Sequence, residues 1–210
     1  FYVGLLTRVL IFAIAAVSLD LIVGYGGMLS LGHAVYIGVG AYSVGILSFY
    51  GIDNGFIHFA TAVAASALMA LLIGASSVRT SGIHFIMISL AFGQMFYYLA
   101  VSVNTFGGDD GLRIGRSSDF GPFGDLSDPV ALYYVCFVVL ILVLFALHQL
   151  VQSPFGMTLR GIRSNEPRMI SIGVSPFRYR LTGFVISGMI CGVAGALLAN
   201  QNLFISPASM

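Results

Sequence analysis

Six apolar stretches, each long enough to cross a lipid bilayer, dominate this chain of 210 residues. A helix rising about 1.5 Å per residue needs about 20 residues to span the hydrocarbon core. The stretches run roughly over 1–23, 28–49, 56–78, 83–103, 130–150 and 181–199. Within lipid every backbone polar group must be paired inside the protein, which leaves helices or a closed barrel. A barrel would alternate apolar and polar residues in segments of about ten, and no such pattern runs through this chain. The expected fold is therefore an all-α integral membrane protein: a polytopic helical bundle forming a single transmembrane domain over 1–210. Composition points the same way, since 58% hydrophobic and 8% charged residues leave too little charge to cover a water-facing surface. Arg8 interrupts the first stretch, which reads as a span rather than a secretory signal. The chain opens on Phe1 and both ends fall in or near apolar sequence, so further spans are expected beyond it.

Several function classes drop out on residue chemistry. All nine cationic side chains are Arg, so a lysine-dependent phosphate loop is excluded. Without a basic stripe interleaved with aromatics, nucleic acid is not an expected partner. Cys136 and Cys191 each sit inside an apolar run and read as small buried hydrophobes. His33, His58, His84 and His148 have no metal-ligand spacing, so neither a metal nor another cofactor is expected. Ser30 and His33 are three residues apart, yet no acid is placed to orient a base, and an enzyme is not expected.

Orientation follows from the arginines, because short cytoplasmic loops collect them. Segment 151–180 holds Arg160, Arg163, Arg168, Arg178 and Arg180 against Glu166 alone. Segment 104–129 holds Arg113 and Arg116 against Asp109, Asp110, Asp119, Asp125 and Asp128. The first is expected inside the cell and the second outside. Alternation then puts Arg79 inside and the short 51–55 connection, with Asp53, outside.

Two segments interrupt the apolar runs. In Gly24-Tyr-Gly-Gly-Met-Leu-Ser-Leu-Gly-His33, four glycines crowd the approach to the second stretch. Glycine there permits positive φ and exposes backbone groups, which at membrane depth is tolerated only against protein or a water-filled cavity. Broken helices of this kind often line transport routes, although a tight turn with a close helix contact is the plainer alternative. The second segment, 153–175, carries helix punctuation. Ser153-Pro154 and Ser164-Asn165-Glu166-Pro167 each read as an N-cap followed by proline in the first turn, and Gly173 as a stop. Two short amphipathic helices are expected, facing either a partner protein or anionic lipid head groups. In the sixth stretch Gly188, Gly192 and Gly195 share a helix face suited to close packing.

Four motifs in order carry a resemblance across nearly the whole chain. They are Asp20-Leu-Ile-Val-Gly-Tyr-Gly-Gly-Met-Leu-Ser-Leu-Gly-His33 with Gly40-Ala-Tyr42, Ser89-Leu-Ala-Phe-Gly-Gln94, Gly107-Gly-Asp-Asp-Gly-Leu112, and Leu159-Arg-Gly-Ile-Arg-Ser-Asn-Glu166 through Gly173. Together they resemble the LivH/LivM family of permease subunits of branched-chain amino acid ABC importers, the LivM branch most closely. The resemblance implies a multi-pass protein of the bacterial inner membrane, paired with a second homologous permease. Two separate ATPase subunits and an external solute-binding protein would complete the importer. Arg160, Arg163, Glu166, Arg168 and Gly173 would then belong to a segment coupled to the ATPase, and Ser30, His33 and Gln94 would border the solute route. Two departures stand out: Pro167 and Arg168 follow Glu166 where the general importer pattern has two alanines, and Phe106 precedes the paired glycines where the family more often has Thr.

The solutes implied are leucine, isoleucine and valine, with urea or short amides as the alternative within the same importer type. A secondary transporter driven by an ion gradient is the rival from another class. It would want ionisable groups deep in the spans, and the spans offer only Arg8 and Asp20, both toward span ends.

Overall fold

The computed structural model describes residues 2–52, 54–80, 82–103, 108, 111–114, 118 and 128–206. Helix α1 (Tyr2–Asp20) runs directly into a π turn (Leu21–Tyr25), and an irregular stretch leads to α2 (Ala34–Phe49). There follow α3 (Gly55–Ser77), α4 (Ile83–Ser102), β1 (Leu112–Arg113), α5 (Pro129–Gln152), α6 (Pro154–Ser164), α7 (Glu166–Ser171), α8 (Pro176–Asn202) and β2 (Phe204–Ile205). Among the described residues, five helices are long and apolar enough to cross a membrane: α1 with its π turn, α3, α4, α5 and α8. Helix α2, at 16 residues, is shorter. The second apolar stretch, read as 28–49, becomes helical only from Ala34, because the glycines ahead of it adopt a different backbone path.

Side-chain caps set several of these boundaries. Asn54 Oδ1 accepts from Phe56 N at 3.0 Å to start α3, and Asp128 Oδ1 accepts from Val130 N at 3.0 Å to start α5. Such caps satisfy donors that the first helical turn cannot pair internally. Asn165 does the same for α7, its Oδ1 accepting from Arg168 N at 3.0 Å. Thus α6 and α7 are the two short helices that the punctuation of 153–175 predicts, with Gly173 at φ +86° just beyond the second.

Helix α8 is the axis of the bundle, buried along most of its second half, with α1, α2 and α3 packed around it. A helix enclosed on several sides needs no polar face, and its small residues let neighbouring backbones come close. A Cβ at Gly192 would collide with the Ser66 side chain on α3, and one at Gly195 with the Ile37 carbonyl on α2. Gly188 lies against Ala70 of α3. The three glycines therefore wedge α8 between two helices instead of against one. Tyr36, Phe85 and Phe184, all fully buried, lock the centre edge to face, with ring centroids 5.9 Å apart for Tyr36–Phe184 and 6.0 Å for Phe85–Phe184.

Helices α4 and α5 are peripheral. On α5 the exposed face is built from Val130, Tyr134, Phe137, Val138, Ile141, Leu142, Leu144 and Phe145, a surface that lipid solvates and water does not. At one end of the bundle the Arg79 guanidinium lies 5.4 Å over the Phe177 ring, joining the end of α3 to the start of α8. At the other end β1 and β2 form a two-residue antiparallel pair, Leu112 opposite Ile205 and Arg113 opposite Phe204.

Candidate functional site

The irregular stretch between the π turn and α2 is where side chains from distant parts of the chain converge. An α-helix pairs each N–H with the carbonyl four residues back. Here Gly26 N donates to Leu21 O at 3.2 Å, five residues back, and Met28 N to Ile22 O at 3.1 Å, six back. The helix thus widens and stops, and a π turn of this kind is often found at functional sites. Gly27 then takes φ +67°, a conformation that costs a side-chain-bearing residue heavily.

Further along, Gly32 is pressed against α4. A Cβ there would collide with the Ser89 carbonyl, so only glycine allows the approach. Ser89 Oγ also accepts from Leu31 N at 3.3 Å while donating to Ile86 O at 2.9 Å. From the fourth motif span it is Ser89 that touches the broken segment. Gln94, five residues on and about 140° around the helix, is exposed and does not join it. From this motif Gln94 is the residue the resemblance puts beside the solute route, yet Ser89 makes the contact, and a short side chain suffices there because the backbones are so close.

His33 is buried at the foot of α2, and its ring chemistry can be deduced from its partners. Ser18 Oγ donates to Ala15 O at 2.7 Å, and Ser187 Oγ donates to Ser18 O at 2.5 Å. Both hydroxyl protons are therefore committed to carbonyls. His33 Nε2, 3.1 Å from Ser18 Oγ and 3.3 Å from Ser187 Oγ, must be the donor to the pair. The neutral imidazole then carries its proton on Nε2, and Nδ1 is a bare acceptor. It is buried without a partner among the described residues, as are the hydroxyls of Ser30 and Tyr36. Each such atom costs about 1–3 kcal/mol in a dry interior. Cys191 Sγ donates to His33 O at 3.6 Å, so α1, α2 and α8 all meet at this residue. Both cysteines, Cys136 and Cys191, are unpaired and buried.

The arginine-rich segment meets the same place from below. Arg163 Nη1 donates to the Gly24 carbonyl in the π turn, and its stem lies along Gly27, where an added Cβ would be 2.9 Å from Arg163 Cγ. Arg160 turns back within its own segment, Nη2 donating to Val151 O at 3.1 Å. Glu166 pairs with Arg180 Nη2 at 3.0 Å, tying α7 to α8. Arg168 lies exposed within α7 and Gly173 exposed just beyond it. Leu159 and Ile162 are buried and seat α6 on the bundle, while Met157, Ile170 and Ile172 are exposed. Of the motif 107–112, only Gly108, Gly111 and Leu112 are among the described residues, and Phe106 lies outside them.

The profile of a branched-chain amino acid transport system permease component matches residues 1–210. The LivM permease of the high-affinity branched-chain amino acid transport system of Salmonella typhimurium is 31% identical over 99% of this chain and 54% of its own length. LivM of Escherichia coli shows the same identity and the same coverage, 31% over 99% and 54%. A probable branched-chain amino acid transport permease LivM of Methanocaldococcus jannaschii is 26% identical over 89% of this chain and 64% of its own. The chain spans about half the length of the first two relatives. No solved structure matches. With its helices of spanning length the chain is a multi-pass inner-membrane protein, and it belongs to the family of branched-chain amino acid transport system permease components.

Proposed function

We propose that this chain is the pore-forming permease subunit of an ATP-driven importer for leucine, isoleucine and valine. In this reading ATP is hydrolysed on two separate subunits, a second homologous permease completes the pore, and an external binding protein delivers the solute. The similarity to LivM permeases over 99% of the chain carries the reading. The fold supports it in two ways. First, α6 and α7 form a ledge fastened to α8 by Glu166–Arg180 yet presenting Met157, Ile170 and Ile172 outward, a surface suited to an ATPase subunit. The coupling segment would comprise Arg160, Arg163, Glu166, Arg168 and Gly173, with 151–180 on the cytoplasmic side and 104–129 outside.

Second, an apolar cleft of about 290 Å³ opens between α2, α3 and α4, about two to four turns along α2 from His33. Val39, Ile46, Met69, Phe96 and Leu99 line it, with the Tyr42 hydroxyl buried nearby and without a partner among the described residues. Aliphatic walls suit a branched apolar side chain, while a few hydroxyls would compensate the charged ends only weakly, so such a cleft would pass the solute without holding it tightly. Ser30 and His33 would border the route below this cleft. Gln94, on the exposed side of α4, would meet it only where a partner helix closes that side.

Reconstitution into proteoliposomes tests the proposal. Leucine uptake should require the ATPase subunits, the binding protein and ATP together. Uptake by the permease alone under an ion gradient would instead identify a secondary transporter.

A further inference from the structure

Arg163 is the side chain of the α6–α7 ledge that crosses to the broken segment, and the chemistry of that crossing is specific. A helix that ends leaves its last carbonyls without intrahelical partners, and its C-terminal end carries partial negative charge. The π turn ends in this way: Gly26 N and Met28 N return to Leu21 O and Ile22 O, so the Gly24 carbonyl accepts from the Arg163 guanidinium. A charge-assisted bond of this type is roughly twice as strong as a neutral one. The Arg163 stem also fills the space beside Gly27, where a side chain would intrude. The guanidinium and its stem thus grip the segment at two points, the first of them 139 residues away in sequence.

The far end of the segment is fixed differently. Leu31 and Gly32 rest on Ser89 of α4, and His33 is bonded to Ser18 of α1 and Ser187 of α8. Displacing α6 would therefore pull on 24–27 and load the contacts at 31–33, where α1, α4 and α8 converge. Arg160 and Glu166 do not offer this route, because their bonds run to Val151 and Arg180.

We propose that Arg163 is a positioning residue through which movement of the ledge is transmitted to the broken segment 24–33, and so to the helices around His33. The proposal rests on the importer reading above. It separates Arg163 from the other charged residues of the ledge, which hold the ledge together or face outward.

The test uses the complete importer in proteoliposomes, with Arg163→Gln, Arg163→Lys and Gly27→Ala compared against the wild type. Co-purification of the subunits, leucine uptake and ATP hydrolysis are measured on each. Arg163→Gln should assemble, while ATP hydrolysed per leucine taken up rises about tenfold, within the usual range of coupling between distant sites. Arg163→Lys should recover part of that loss, since an ammonium can still donate to the Gly24 carbonyl although it lacks the planar fork. Gly27→Ala should raise the same ratio by pushing the Arg163 stem away. An unchanged ratio in Arg163→Gln would overturn the proposal, as would uptake and hydrolysis falling together with loss of the assembled complex, which marks a structural staple only. Wild-type uptake indifferent to ATP would overturn the importer reading along with it, and is read separately from the variants.

Discussion

Two buried histidines, one tied to α8 at Ser187 and the other through Ser118 at Asn200, are held in opposite ways. At His58 every polar atom is accounted for. The Ile52 carbonyl can only accept, so Nε2 donates to it at 2.6 Å, and Nδ1 accepts from Ser118 Oγ at 2.7 Å. Ser118 N then donates to Asn200 Oδ1 at 2.7 Å, and Asn200 Nδ2 to Ala196 O at 2.8 Å. Among the described residues, His33 has one nitrogen shared between two serines and the other unmatched, beside a backbone that has left the helix and the unmatched hydroxyls of Ser30 and Tyr36. A completed polar network rigidifies what it joins. An incomplete one, at the end of a glycine-rich break, is a place where a second arrangement costs little. The His58 cluster fastens Ser118, and with it the segment paired to β2, onto α3 and α8. The His33 cluster sits where parts of the bundle would move against each other.

Substitutions can break that contrast at either side. The largest effect is expected at Gly32, where any side chain would strike the Ser89 backbone and nothing flexible can yield. Gly32→Leu should cost more than about 3 kcal/mol by overpacking, seen as loss of monodisperse protein in detergent. A normal yield and unfolding temperature would show that the segment tolerates separation from α4.

His58→Ala comes next. It strands the Ile52 carbonyl and the Ser118 hydroxyl, at about 2–3 kcal/mol, and should lower the unfolding temperature of the purified protein. Uptake per folded molecule should stay within about twofold of wild type. For His33→Ala the stability loss should be smaller, about 1 kcal/mol, because Ser18 and Ser187 keep their own protons on carbonyls. Its uptake per folded molecule, however, should fall about tenfold. Equal behaviour of the two variants in both assays would erase the distinction between fastening and moving part.

Much of the framework was legible in the sequence, because lipid imposes a length and apolarity that few other environments require. The two short helices of the ledge were legible too, since Ser153-Pro154 and Asn165-Glu166-Pro167 are local signals with local causes. In the second apolar stretch the helix starts later than hydropathy alone implies: apolar residues continue back to Met28, but Gly27 and Gly32 take positions set by contacts with Arg163 and Ser89, which hydropathy does not register. Nor did the sequence single out α8 as the axis, because a span apolar on all sides gives no periodic sign of which neighbours enclose it. The site was legible as residue types and not as partners. His33 and Arg163 could be named from their motifs. That Ser18, Ser89 and Ser187 complete the surroundings of the break depends on helix packing, and a serine in an apolar span can equally bond only to its own backbone, as Ser43 does on Val39 O.

The most direct test of a fixed end and a moving elbow is amide hydrogen exchange on the complete importer in lipid nanodiscs, with and without ATP. Exchange across 24–33 should change when ATP is added, while amides at Ser118 and along 196–205 keep their protection. Equal response at both places, or no response at the elbow while 196–205 loosens, would contradict that contrast.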